Sequence, residues 1–440
     1  MSSQSEGTDL AGRLEALFQR RTFGIKPGLE VEQALLEAMG HPERTYASIH
    51  VAGTNGKGSI CAMIAAVLEK AGLPTGLYTS PHLIRFHERM RVNGAYVTDA
   101  ELLALWEKGE EGERRAFPSG GRTATFFEFT TALAFEFFRL RGVRVAVIEV
   151  GMGGRLDATN VLEPLVSVIA PVGLDHQAYL GPDLSSIARE KCGIIKAGRP
   201  VIYAQTDPEA EAVIIHSAAE RGSRAINAAE WARVTRQCQT LDGQRIRIET
   251  ANADYGLVRL PLLGRHQLLN VAAAVTALEV AFGELGLPLS TNTVQAGLES
   301  VRWPGRLQIL GRDPLVILDG AHNPPAAAVL ANALREIVGR RPVGLVCGMC
   351  EDKDQQGFFS VLASRLRRVW TVPLRTPRSS DPEALARMVR QRGLEAEAEA
   401  TLTEAREKAV RWAKEEGGAV CLAGSLFLVG EVLEQEGYRP

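Results

Sequence analysis

The ten residues 50–59, H-V-A-G-T-N-G-K-G-S, constrain this chain more than any other stretch. The apolar, β-branched run over residues 46–51 reads as a buried strand that stops at Gly53, and apolar periodicity over 60–73 reads as a helix. Between them lie three glycines, a lysine and a serine. Glycine lets the backbone turn with its N–H groups facing inward, and the helix adds unpaired N-terminal donors and the positive end of its dipole. Such a nest suits a polyphosphate, with Lys57 as the point charge and Ser59 beside a magnesium ion. The spacing departs from G-x-x-x-x-G-K-[ST]: Gly53 and Gly56 are closer together, and Gly58 intervenes before Ser59. A plain glycine-rich turn closing a strand–helix unit is the alternative, and it gives the lysine no reason to be there.

With 440 residues, 45% hydrophobic and 23% charged, the chain has globular composition and length for two to three domains. A net charge of −2 argues against nucleic acid as a partner. Membrane association is not expected either, since no apolar run reaches about 18 residues. The polar N-terminus lacks the segments of a secretory signal, so a cytoplasmic protein is expected. Cys347 and Cys350 form a C-x-x-C pair with neither a second pair nor histidines at zinc spacing, and are expected to be small thiols without shared chemistry.

In chain order, helices are expected over residues 10–18 and 29–39. The loop between them carries Arg21 and Phe23 and is either a connector or a substrate contact. A strand over 75–78 leads to T-S-P-H-L-I-R-F-H-E-R-M-R, in which Arg85, Arg89 and Arg91 alternate as a solvated charged face or an anion site. His82 and His87 read as polar groups or, less simply, metal ligands. Thr98-x-x-Glu101 is a capping box opening a helix to Trp106, and residues 108–122 read as a flexible connection. The helix that follows is largely buried, so Glu128 in its first turn needs a cation or a hydrogen-bonded partner. Residues 143–150 read as a central parallel strand ending in Glu149, followed by G-M-G-G-R-L-D-A-T-N; that carboxylate either holds a metal or caps the turn. The next strand, 166–169, delivers Asp175 and His176.

Beyond residue 200 a strand, a helix and a β-rich insert turning at Asp242-Gly243 precede an Ala-rich helix, whose first turn puts Gln267 and Asn270 on one face. R-W-P-G-R, residues 302–306, reads as a joint; strand–helix alternation restarts after it. The expected organisation is α/β throughout. A parallel-sheet domain with the phosphate loop and a small β insert (1–301) is followed by a linker (302–306) and a smaller Rossmann-like domain (307–440), with the reaction chamber between them.

Taken together, H-V-A-G-T-N-G-K-G-S, T-S-P-H-L-I-R-F-H-E-R, T-F-F-E-F-T-T-A-L-A-F, I-E-V-G-M-G-G-R-L-D-A-T-N, G-L-D-H, E-K-C-G-I, W-P-G-R-L-Q, L-D-G-A-H-N-P, D-K-D and A-G-S-L-F-L-V-G resemble the folylpolyglutamate synthase and dihydrofolate synthase family, within the Mur-type ligases. The resemblance spans about residues 46–430, and T-S-P-H-L with G-G-R-L-D-A-T-N narrows it to the folate branch. It implies ATP phosphates on Thr54, Asn55, Gly56, Lys57, Gly58 and Ser59, with Asn270, Arg306 and Asp319 on the rest of the nucleotide. It implies magnesium, as two ions, at Ser59, Ser80, Glu149 and His176, and a carbamylated Lys191; a monovalent cation is a further candidate. A pterin-bearing substrate would lie along Thr125, Phe126, Phe127, Glu128, Leu156, Asp157 and Ala158, and His322 and Ser425 would face the incoming L-glutamate. Cys192 stands where alanine is more usual, a change of little consequence.

The implied reaction phosphorylates a carboxylate from ATP, and the glutamate amine then attacks the acyl phosphate to give an amide, ADP and phosphate. Dihydropteroate and reduced folates are both candidate acceptors, and the residues do not discriminate between making dihydrofolate and lengthening a polyglutamate tail in one-carbon metabolism. A monomer is expected. The rivals are a cell-wall Mur ligase, a nucleotide-hydrolysing switch and a non-catalytic nucleotide-binding regulator.

Overall fold

The structure, a computed structural model, describes residues 2–20, 28–120, 122–205 and 207–439. The loop with Arg21 and Phe23 lies outside the described residues. Eight strands form the sheet of the first lobe: β1 (Ala47–Ala52), β2 (Thr75–Tyr78), β3 (Met90–Val92), β4 (Ala95–Tyr96), β5 (Val145–Glu149), β6 (Val166–Ile169), β7 (Val201–Tyr203) and β8 (Ala225–Asn227). Their order is β4-β3-β2-β5-β1-β6-β7-β8, parallel from β2 to β8, with β3 and β4 antiparallel at one edge. β1 is central, and Val51 faces Glu149 of β5 on one side and Val168 of β6 on the other. Ile49, Val51, Val147 and Val168 are fully buried, as both-face coverage of a parallel sheet requires.

Helix Lys57–Lys70 follows β1 directly, starting three residues before the expected position. It is buried almost all round because helices His266–Glu284 and Thr291–Ser300 cover it on the far side from the sheet. Gly297 permits that closeness: a Cβ there would lie 2.6 Å from the Val67 Cα. The β insert is an antiparallel sheet of β9 (Ala232–Thr240), β10 (Gly243–Thr250) and β11 (Asp254–Leu260), turning at Asp242-Gly243 as expected.

The second lobe's sheet comprises β12 (Gln308–Arg312), β13 (Leu315–Leu318), β14 (Val343–Cys347), β15 (Arg368–Thr371), β16 (Glu395–Ala398) and β17 (Ala419–Ala423), in the order β12-β13-β17-β14-β15-β16. All neighbours are parallel except β12, which pairs antiparallel with β13. Residues 301–307 pass between the lobes without helix or strand.

Three expectations need correction. The stretch over 108–122 is not a flexible connection, because the capped helix runs Asp99–Ala116. Its glycines are contact points rather than breakers: a Cβ on Gly109 would meet Leu133 and Phe129 at 2.8 Å, and one on Gly112 would meet Met39 at 2.7 Å. The arginines before β3 are not a uniform solvated face. Arg89 is buried, donates from Nε to His82 Nδ1 at 2.8 Å, and lies 5.1 Å from the Phe126 ring centroid. The first helix begins at Ser2 rather than at Leu10.

Substituting Gly109→Val should lower stability by about 1–3 kcal/mol through overpacking, read as a shift of the urea midpoint. Gly12→Ala, with nothing within 4 Å of the added Cβ, should raise it by roughly 0.5–1 kcal/mol through helix propensity alone.

Candidate active site between the two lobes

The phosphate loop takes its shape from β6. Thr54 and Asn55 donate their N–H groups to the Pro171 carbonyl at 2.9 and 3.3 Å. The Thr54 hydroxyl both donates to the Gly173 carbonyl and accepts from its N–H, each at 3.0 Å. Gly56 caps the helix at φ 89°, and a Cβ there would lie 2.6 Å from Asn270 Oδ1. Asn270 is oriented by Gln267, whose Oε1 accepts from its Nδ2 at 2.9 Å, so the pair noted on one helix face does meet. Gly58 is equally constrained, since Trp303 of the joint sits 2.7 Å from the position of its absent Cβ.

Glu149, at the end of β5, accepts the Ser80 N–H at 3.0 Å. Burial raises its pKa, while Lys57, that N–H, Arg306 and Arg89 oppose the rise. Gly58, Ser80, Glu149, Trp303, Arg306 and Leu426 line one cleft. Arg306 is half-buried, and that desolvation lowers its pKa against the pull of Asp319 and Glu149. Both Asp319 oxygens are engaged by backbone, one by Leu307 N–H and one by Ala321 N–H, each at 2.9 Å.

The loops after β6 and after β13 and β14 meet across the cleft. Asp175 accepts from Lys353 Nζ at 2.8 Å and from Asn323 Nδ2 at 2.8 Å, and His322 Nε2 lies 3.7 Å away. Asn323 also exchanges amide contacts with Asn55 of the phosphate loop at 3.2 and 3.3 Å. Burial alone would raise the Asp175 pKa, but His322, Lys353 and His176 hold it well below the carboxylate range. His176, left-handed at φ 53°, has its pKa lowered to about 4 by burial and by Lys353, whose Nζ is 3.3 Å from Nε2. His322 Nδ1 lies 2.8 Å from the Gly320 carbonyl, which can only accept, so that nitrogen carries the proton. Ser425 is buried and caps helix Leu426–Gln435, accepting the Phe427 N–H at 3.1 Å. Its turn is tied to D-G-A-H-N-P through Gly424 N–H and the Ala321 carbonyl at 2.9 Å.

Lys191 is buried near the end of helix Leu184–Cys192 and donates to the Gly53 carbonyl at 2.9 Å. Burial, then Lys57, lower its pKa to about 7. On the other flank, Thr125 and Glu128 form a capping box, with Thr125 N–H on Glu128 Oε2 at 2.7 Å, so the hydrogen-bonded partner expected for Glu128 is backbone. Phe126 stacks on Phe18 at 5.0 Å between centroids, and Phe127 packs over Gly151. Asp157 holds its own loop, accepting from Met152 N–H at 3.0 Å and Thr159 N–H at 3.1 Å, with Leu156 and Ala158 on either side.

Asp175, Asn323 and Lys353 received no role from the sequence, although G-L-D-H, D-G-A-H-N-P and D-K-D carry them; their signal was placement after a strand's carboxyl end. Trp303 was visible as the aromatic of the joint. Cys347 and Cys350 are buried.

Residues 51–278 match the Mur ligase middle domain, and residues 305–426 match the Mur ligase glutamate ligase domain. Folylpolyglutamate synthase of Lacticaseibacillus casei is 37% identical over 408 residues, covering 90% of this chain and 92% of that protein. Dihydrofolate synthase/folylpolyglutamate synthase of Bacillus subtilis is 37% identical over 363 residues, covering 82% and 84%. The chain belongs to the folylpolyglutamate synthase/dihydrofolate synthase family. Among solved structures, Mycobacterium tuberculosis folylpolyglutamate synthase complexed with ADP superposes with a TM-score of 0.93 at 32% identity, over 99% of this chain and 100% of that one. Escherichia coli FolC in complex with DHPP and ADP gives 0.86 at 32% identity, over 97% of each. The expected Mur-ligase-like fold stands, and family membership makes the chain an ATP-dependent glutamate ligase.

Replacing Asp175 by Ala leaves Lys353, 9% exposed in its side chain, without its anion. Chemical denaturation should show a loss of about 3–5 kcal/mol. The double variant Asp175→Leu with Lys353→Met should recover much of it, since neither charge then remains buried.

Proposed function

We propose that this chain joins L-glutamate to the carboxylate of a folate-type substrate through an acyl phosphate, and that it accepts both dihydropteroate and tetrahydrofolate. The observation that carries this reading is the contact of Asn323 and Lys353 with Asn55 and Asp175, which sets the second lobe's polar turns against the phosphate loop. Phosphoryl transfer needs positioning and neutralisation of charge more than covalent catalysis. Thr54 to Ser59 would cradle the ATP phosphates with Lys57 as the cation, and Asn270, Arg306 and Asp319 would border the nucleoside. The substrate carboxylate attacks the terminal phosphorus and ADP leaves; the glutamate amine then attacks the acyl carbon and phosphate leaves. His322, Lys353 and Ser425 border the space from which glutamate would arrive. The aromatic flank of Phe126 and Phe127, with Glu128, Leu156, Asp157 and Ala158, would take the pterin. The B. subtilis relative, named for both activities, supports the dual acceptor range.

Magnesium suits the donors present. Among the described residues no three His, Cys, Asp or Glu side chains converge on a metal position. A sparse set of one carboxylate with hydroxyls, completed by water and substrate phosphates, is the usual environment of this ion. Of two ions, one would be held by Ser80, Glu149 and His176 and the other, on the phosphates, would lie beside Ser59; when bound they would neutralise charge on the transferring phosphoryl group. The depressed pKa of Lys191 favours carbamylation, since only the neutral amine adds to CO2, its nitrogen bonding the carbon and its proton passing to water. An acyl phosphate has to be kept from water, so the domains 1–301 and 307–440 would close about residues 302–306.

Purified protein given ATP, magnesium and glutamate should release ADP in proportion to amide formed with dihydropteroate and, separately, with tetrahydrofolate. Turnover with tetrahydrofolate alone would reduce the reading to tail extension. Lys57→Ala should lower both rates by roughly 100-fold or more, as loss of a group aligned with developing charge does; near wild-type turnover would remove the nucleotide assignment. With 13C-bicarbonate, a carbamate signal absent from Lys191→Ala should grow as pH rises through about 7, because deprotonation supplies the reactive amine.

A further inference from the structure

His50 belongs to the 50–59 motif, yet its side chain is not part of the phosphate nest. It lies on β1 between Ile49 and Val51, and strand alternation turns it to the opposite face of the sheet from those two. There it is fully buried, and its Nε2 lies 2.8 Å from the Thr159 hydroxyl. That hydroxyl donates to Asp157 Oδ1 at 2.5 Å, the short distance of a bond to a charged acceptor. Asp157 Oδ1 also takes the Thr159 N–H at 3.1 Å, and Oδ2 takes the Met152 N–H at 3.0 Å. These donors favour the anion against the burial that raises the Asp157 pKa.

A hydroxyl has one proton. With that proton given to Asp157, the contact with His50 is a hydrogen bond only if Nε2 donates. Burial, then Lys196, lower the imidazole pKa to about 3, so the ring is neutral and carries a single N–H. Nδ1 is left as a bare acceptor, buried without a partner. Such an unanswered polar atom costs stability that a leucine of similar volume would not. What the imidazole supplies in return is the donor at Nε2.

That donor acts on the flank of Phe127 and Asp157. Asp157 Oδ2 holds the turn at Gly151 and Met152, and Phe127 lies on this turn with Cζ 2.5 Å from the position of a Gly151 Cβ. We propose that His50 is a positioning residue for the acceptor substrate: it sets the direction of the Thr159 hydroxyl, which fixes the Asp157 carboxylate and through it the loop 156–158 and the turn under Phe127. The inference rests on the proposed function for one point, that the acceptor's ring lies along this flank. The loop's backbone has supports of its own. Asn160 Nδ2 donates to the Arg155 and Gly193 carbonyls at 3.0 and 3.1 Å, and Lys196 Nζ donates to the Asn160 carbonyl at 2.8 Å. Loss of the His50 donor therefore loosens a carboxylate without unfolding the loop.

The test is steady-state kinetics of the full chain, with acceptor (dihydropteroate or tetrahydrofolate), ATP and glutamate varied in turn. His50→Leu should raise the acceptor KM roughly 3- to 10-fold, the range for one uncharged hydrogen bond, and leave the KM for ATP and for glutamate within about twofold. His50→Gln, whose amide nitrogen can donate to Thr159, should recover most of that loss, and Thr159→Val should reproduce it. Adding His50→Leu to Thr159→Val should change the acceptor KM no further, because the two act through one relay. An unmoved acceptor KM in His50→Leu, an equal rise in the KM for ATP, or effects of the two substitutions that multiply would each overturn the proposal. 15N-histidine NMR of the parent should place the His50 proton on Nε2, assigned by its loss in His50→Gln; a proton on Nδ1 overturns the relay. Where His50→Leu does not fold, Thr159→Val and this tautomer decide. A parent that turns over neither acceptor removes the folate reading and the positioning role with it, whereas normal turnover with an unmoved acceptor KM removes the inference alone.

Discussion

A single buried carboxylate, Asp175, makes the two lobes depend on one another. Removed from water, it would favour its neutral form; His322 and Lys353, from the second lobe, and His176 beside it reverse that preference. Lys353 has the complementary problem, since its ammonium is buried and Asp175 is the anion that answers it. Such a pair adds little stability over a well-packed apolar contact of the same volume. What it supplies is a geometry: the turns after β13 and β14 dock against the loop after β6 in the one arrangement that pairs both charges. Asn323 then reaches Asn55, so the docking is transmitted to the phosphate loop itself.

Strand order explains why residues far apart in sequence meet there. With β1 between β5 and β6, the three loops at their carboxyl ends open onto one edge of the sheet, the usual ligand position in open α/β sheets. Thr54 comes from the first, Glu149 and Asp157 from the second, Gly173 to His176 from the third. Ser80 arrives from β2, the other neighbour of β5, and Lys191 from the helix packed under the loop after β5. That helix end fits because Gly154 and Gly193 carry no Cβ; one on Gly193 would lie 2.2 Å from the Arg155 Cα.

Much of this was legible in the residues, for reasons that also mark the limits. Strongly buried parallel strands such as β1, β5 and β14 announce themselves as apolar runs, and the turns that carry chemistry sit at their ends. β8, β12 and β16 went unseen: β8 has three residues, β12 is a half-buried edge strand containing Gly311, and β16 reads E-A-E-A. The glycines at 109 and 112 looked like a loop because their function is to admit Phe129, Leu133 and Met39 from other helices. Arg89 looked solvated because His82 and Phe126, which bury it, come from a neighbouring turn and a distant helix. Single-residue pairings across the cleft, Asp175 with Lys353 above all, depend on how two separately folded sheets face each other, and periodicity carries no information about that.

The cleft is also polarised, which bears on how a long substrate would be oriented. Lys57, Arg306 and Lys353 gather around the phosphate loop, whereas the flank formed by Phe126, Phe127 and the Asp157 loop is aromatic, with Arg89 set against Phe126. Behind that flank lies Glu32, 0% exposed, with neither carboxylate oxygen hydrogen-bonded. Burial, together with Glu128, Asp157 and Glu43, raises its pKa well above the ordinary range. Removing a charge there from water is costly, so burial favours the neutral acid of Glu32. A molecule with a flat heterocycle at one end and carboxylates at the other, of the kind the proposed function requires, would then be drawn by its anionic end to these cations and by its ring to the phenylalanines. Reversal would set carboxylates against the phenylalanines and leave the cations facing an uncharged ring. Under the proposed function the field of the cleft would therefore orient the substrate before any specific hydrogen bond is made, with its carboxylate toward the phosphate loop.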